Sequence, residues 1–150
     1  MWKDIVKGKN NTMKKTLFTI AAVAVILFAG CSKDDNSTSS VTKKIGGTTW
    51  FVSYYWDKDK DETYKFQDYT FEFKSGSVAE ALKSGTVQTG TWVYDTSDDS
   101  HDHFIINFPV VSPLDDLNDD WHVVQITDSQ IELKDESGSG GTEYLTLKKK

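Results

Sequence analysis

The sequence predicts an all-β domain, closed as an eight-stranded up-and-down barrel, on three observations. Short runs of alternating apolar and polar residues recur over residues 48–148. Clusters of Gly, Ser, Asp and Asn separate them at near-regular intervals, and no long window keeps helical spacing. Consecutive runs joined by short links form a meander, and closing it removes the free edges that invite aggregation. A β-sandwich made of the same strands, with open edges, is the alternative.

The first run, 48–57, puts Trp50, Val52, Tyr54 and Trp56 on one face and Thr49, Phe51, Ser53 and Tyr55 on the other. The second, 68–74, alternates most cleanly: Tyr69, Phe71 and Phe73 face inward, Thr70, Glu72 and Lys74 outward. Ser75-Gly76 turns into the third, 77–83, and Ser84-Gly85 into the fourth, 86–95, where Gly90, Trp92 and Tyr94 share a face. Residues 96–100 read as a polar loop. The fifth run, 102–108, keeps Phe104, Ile106 and Phe108 in register. One short helix is expected near 113–118, with Ser112 as cap, Pro113 at the first helical position and acidic residues at the positive end of the dipole. Runs six to eight are 119–127, 130–135 and 142–148, the first two joined by a tight Asp128-Ser129 link.

Ahead of this body lies an address segment. Lys14 and Lys15 precede thirteen uncharged residues, Leu17 to Ala29, then Gly30-Cys31. A membrane span needs roughly 20 apolar residues, so this run has the length of a signal sequence. Phe28-Ala29-Gly30-Cys31 resembles the lipobox of bacterial lipoproteins, in which the cysteine becomes the acylated N-terminus. The expected organisation is an upstream extension over 1–12, a lipoprotein signal peptide over 13–30, a flexible polar tether over 31–45 and the β domain over 46–150. Lys33-Asp34-Asp35 after the cysteine resembles the surface-export signal of Bacteroidetes lipoproteins. The resemblance implies an outer-membrane, lipid-anchored protein displayed at the cell surface, with periplasm-facing retention as the alternative.

Composition narrows the function classes. The chain holds 23 acidic residues against 17 basic ones, all of them Lys, for a net charge of −6. Bidentate phosphate and guanine contacts favour Arg, so an acidic chain without Arg is a poor nucleic-acid binder. Cys31 is the one cysteine; once it carries lipid no disulfide is available, and the core must hold the fold.

Several segments in order carry a likeness: Gly46-Gly47-Thr48-Thr49-Trp50, Tyr69-Thr70-Phe71-Glu72-Phe73, Gly90-Thr91-Trp92, Asp119-Asp120-Trp121-His122-Val123-Val124, Ile131-Glu132-Leu133-Lys134-Asp135 and Gly140-Gly141-Thr142-Glu143-Tyr144-Leu145-Thr146. Together they resemble the lipocalin-like lipoproteins of Bacteroidetes. That resemblance implies an eight-stranded, calycin-type barrel and an extracytoplasmic lipoprotein. It implies little about a ligand.

For function, the inward stripes offer the best lead. Tyr54, Trp56, Tyr69, Phe71, Tyr94 and Phe104 are placed inside, where they line a site for a small apolar ligand or simply form the core. An interaction or glycan-binding surface protein with a filled interior is the second reading. Residues 57–62 alternate carboxylates like a calcium loop, but Glu62 stands where such a loop needs Gly, and a charged hairpin tip is expected. His101-Asp102-His103 near Asp98 and Asp99 has ligand chemistry, yet an Asp-rich loop gives such clusters by composition; no metal or cofactor is predicted, and His122 is placed outward. No nucleophile motif or HExxH is present, and the expectation is a monomeric binding protein rather than an enzyme.

Overall fold

The alternating runs become strands of one antiparallel sheet that closes on itself. The computed structural model describes residues 38–98, 100–136 and 141–150. The expected extension, signal peptide, Cys31 and the first part of the tether lie outside them. Strands β1 (Thr49–Asp57), β2 (Lys60–Asp61), β3 (Thr70–Lys74), β4 (Val78–Lys83), β5 (Thr86–Asp95), β6 (His103–Asn107), β7 (Asp119–Ile126), β8 (Gln130–Asp135) and β9 (Glu143–Lys149) follow in order. β1 pairs with β2, β3 and β9, and from β3 to β9 each strand pairs with the next. The β1–β9 ladder, from Trp50↔Lys149 to Trp56↔Tyr144, closes eight strands into a barrel, and β2 is a short return at the end of β1. The sandwich alternative is thereby set aside.

Turn chemistry fixes the register. Ser84 and Gly85 both have positive φ, 50° and 81°, in the two-residue link between Lys83 and Thr86. That geometry matches the twist of antiparallel strands. Gly90 has a different role. A Cβ there would lie 2.4 Å from the Asn107 carbonyl oxygen and 2.7 Å from Phe108 Cδ1. Its absence lets β5 bend closely over the end of β6.

The inward positions join in one apolar cluster. Trp50, Phe71, Phe73, Phe104, Trp121, Ile131 and Leu145 are all at most 1% exposed. Phe73 meets Phe104 edge-on at 5.2 Å between centroids, and Trp92 packs on both rings at 5.5 Å. Such pairs add to what burial itself contributes.

Both ends are plugged. At one end sits α1 (Thr38–Ile45), which buries Val41 and Ile45. This corrects the expected tether over 31–45: its last eight residues are a helix, because Val41 and Ile45, four apart, lie on one face and find the open barrel end. At the other end lie two 3-10 turns, η1 (Thr63–Phe66) and η2 (Leu114–Leu117), which bury Phe66, Leu114 and Leu117. Indole donors tie both plugs down. Trp50 Nε1 donates to the Ile45 carbonyl and Trp121 Nε1 to the Leu117 carbonyl, each at 3.0 Å. The helix expected near 113–118 is thus a single 3-10 turn, preceded by Pro113 with no side-chain cap, so Ser112 does not cap it.

Candidate functional site

The expected ligand stripe divides between two faces. Along β1 the pairing with β9 shifts between Val52↔Leu147 and Tyr54↔Thr146, leaving Ser53 as the extra residue of a β-bulge. A single inserted residue reverses which side chains point inward beyond it. Trp50 and Val52 are buried before the bulge, and Tyr55 after it. Tyr54 and Trp56 therefore stand on the outer wall, which corrects their inward placement. Phe71, Tyr94 and Phe104 do face inward and pack on other side chains. Tyr69 lies at the rim of the η1 end, stacked on Phe71 at 6.1 Å with Lys83 Nζ 4.6 Å from its ring centroid.

The bulge assembles an aromatic strip outside. Tyr54 and Trp56 stack with centroids 6.5 Å apart and planes 22° from parallel. Trp56 stands directly opposite Tyr144 on β9. Tyr54 is 38% exposed and Tyr144 42%. The Trp56 ring is held in place, since its Nε1 donates to the Lys58 carbonyl at 3.0 Å. On the other side Trp56 pairs with Asp61 of β2, whose Oδ1 accepts from the Thr63 amide at 3.0 Å. Sequence reasoning missed Tyr144. The signal for it was the Tyr54-Tyr55 doublet, which fits a strand with both aromatics usefully placed only if the alternation slips.

The same end of the barrel carries an acidic inner rim. Strand alternation turns Asp57, Asp119, Asp135 and Glu143 inward there, and Asp135 and Glu143 are register partners. Burial, then the nearby Asp57, raises the Glu143 carboxyl above its usual range, with Lys58 at 3.6 Å opposing the shift. Burial also raises Asp119, against the Asp120 amide that donates to its Oδ1 at 2.7 Å, and the Asp135 charge adds to the rise. The Tyr55 hydroxyl donates to the Asp116 carbonyl at 2.9 Å, and burial followed by Glu143 and Asp57 pushes it well above the ordinary phenol range. Lys65 bridges Glu62 and Asp116, the latter at 2.8 Å, which ties η1 to η2 and raises the lysine. The 57–62 segment is the turn and return of the β1–β2 hairpin.

At the α1 end, outside, the three histidines meet. His103 of β6 pairs with His122 of β7. His101, in the preceding loop, lies flat on His122 at 4.8 Å between centroids and 2° between planes, and His103 meets His122 edge-on at 5.0 Å. Burial depresses the His103 ring, but hydrogen bonds and charge from Asp120 and Asp98 outweigh it and raise its pKa.

No protein-family model and no curated protein matches the sequence. Among solved structures the chain is similar to a DUF4847 family protein from Bacteroides vulgatus, with a TM-score of 0.48 and 16% identity, over 72% of this chain and 96% of that one.

Proposed function

We propose that this barrel is the rigid body of a lipid-anchored envelope protein, and that it binds glycan on its outer wall rather than an apolar ligand inside. One observation carries the reading. The bulge at Ser53 moves Tyr54 and Trp56 out of the core and sets them beside Tyr144, while plugged ends and packed rings occupy the interior.

The chemistry suits a sugar. A pyranose presents C–H groups on its faces and hydroxyls at its edge. Flat, exposed rings meet the faces, and an exposed aromatic patch on a small domain marks a contact surface. Carboxylates beside the rings accept from hydroxyls, and Asp61 stands next to Trp56. The reading is one of binding, with no catalytic residue assigned. Cys31 supplies the anchor: two or more acyl chains on it hold the body at a membrane stably, and the outer leaflet is the proposed location.

Affinity electrophoresis in gels containing single neutral polysaccharides tests the glycan reading. At least one polysaccharide should retard the protein, and Trp56→Ala or Tyr144→Ala should restore free migration without loss of fold. Equal migration in every gel overturns it. Labelled palmitate should enter the full chain and not the Cys31→Ser variant, and protease added to intact cells should remove the body.

A further inference from the structure

The histidine cluster on the outer wall has the chemistry of a metal centre. It draws on Asp98 and His101, which precede β6, and on β6 and β7 themselves. Strand pairing brings His122 to His103 although 18 residues separate them in sequence. All three histidines of the chain are here.

Donor spacing supports an ion. His103 Nε2 lies 3.5 Å from Asp98 Oδ2. Two donors bound to one tetrahedral ion at about 2.0–2.1 Å stand about 3.4 Å apart. Asp98 is already aimed: its Oδ1 accepts from the Ser100 amide at 2.9 Å and the Ser100 hydroxyl at 2.7 Å, which leaves Oδ2 toward His103. The other ring nitrogen of His103, Nδ1, lies 2.8 Å from Asp120 Oδ1. A carboxylate on the far nitrogen is what orients a metal-binding imidazole and fixes its tautomer. His122 Nδ1 is buried and has no hydrogen-bond partner among the described residues. A buried polar nitrogen left so is costly, and a lone pair free for coordination gives it a use.

We propose that Asp98, His103 and His122, with His101 closing the fourth position, bind one borderline divalent ion of the zinc, nickel or copper kind. Imidazole with a single carboxylate selects these over calcium and magnesium, which take oxygen. As the side chains stand, no three donors among the described residues converge on one point. Asp98 and His103 are the preformed pair, and rotation of the His122 and His101 rings out of their stack completes the set. Asp120 is a positioning residue.

Isothermal titration of the tag-free full chain in detergent, with zinc, nickel or copper salt alone, tests this. One equivalent should bind, with a rise in melting temperature, and calcium or magnesium should do neither. His103→Ala and His122→Ala should each weaken binding by at least about tenfold, and Asp120→Asn by about 10–100-fold with the stoichiometry kept. Loss of the His122 and His101 imidazole shifts on adding one equivalent of zinc, read by NMR, locates the ion without reference to stability. The proposal fails if no heat or shift appears at millimolar metal. It fails equally if the doubly substituted His103→Ala, His122→Ala chain, folded by circular dichroism, binds as the parent does.

Discussion

Trp56 stands directly across the β1–β9 seam from Tyr144, on the outer wall, while its neighbour Tyr55 is buried inside with its hydroxyl on the Asp116 carbonyl. Adjacent aromatics thus carry different duties. Truncating Trp56 to Ala removes only outer-wall interactions: the pair with Tyr144, the stack on Tyr54 and the hydrogen bond to the Lys58 carbonyl. Urea unfolding should therefore place the variant within about 1–2 kcal/mol of the parent. Tyr55→Phe, a far smaller change, should cost about 1 kcal/mol because it deletes a buried hydrogen bond. Tyr54→Phe should cost nothing measurable. A large loss for Trp56→Ala would mean that the ring belongs to the core.

The bulge that separates these neighbours shows where sequence reading stops. Strand positions, the Ser84-Gly85 turn, the inward faces of β3, β5 and β6 and barrel closure were all legible, because two-residue periodicity and turn chemistry are local signals. For Ser53 the one local hint is the Tyr54-Tyr55 doublet, which does not say where the alternation slips. Its extra residue is defined only by what β9 offers opposite, Leu147 and then Thr146. The same holds for His122, which joins His101 and His103 only through the β6–β7 register. For α1, the polar composition of 31–45 concealed two apolar residues spaced to cover an open barrel end.

That helix gives the second prediction. Ile45 is fully buried and its carbonyl accepts from Trp50. Ile45→Ala should lose about 2–5 kcal/mol in chemical denaturation, as large-to-small core changes do. A chain begun at residue 46, which a tether over 31–45 would permit, should melt well below one begun at residue 38. Equal melting temperatures would return the segment to the role of linker.

Gly90 and Gly76 form a controlled comparison. Both are in or beside strands, but a Cβ on Gly90 meets the Asn107 carbonyl and Phe108, whereas one on Gly76 meets nothing within 4 Å among the described residues. Gly90→Ala forces backbone apart and should cost about 1–3 kcal/mol or more, as overpacking does. Gly76 has φ +73°, so Gly76→Ala should cost only the left-handed conformation, about 1–2 kcal/mol. Gly90→Ala should in addition shift the Trp92 fluorescence that reports on β5, and Gly76→Ala should not.

The acidic inner rim sets a pH dependence whose sign follows from Glu143. Burial and then Asp57 raise its carboxyl above the unfolded value, against the weaker opposing pull of Lys58. The folded state therefore keeps the proton to a higher pH than the unfolded state does. Between the two values the folded state binds more protons, so stability falls as pH rises through that window and stays lower above it. Asp119, also raised by burial, acts in the same sense. Glu143→Gln removes the charge that the rim disfavours. It should melt above the parent at neutral pH, and the two curves should meet at about pH 3, where the parent carboxyl is protonated in both states. Scanning calorimetry across that range checks it. A variant that melts below the parent at neutral pH would show instead that the Glu143–Lys58 pair, at 3.6 Å, outweighs the repulsion around it.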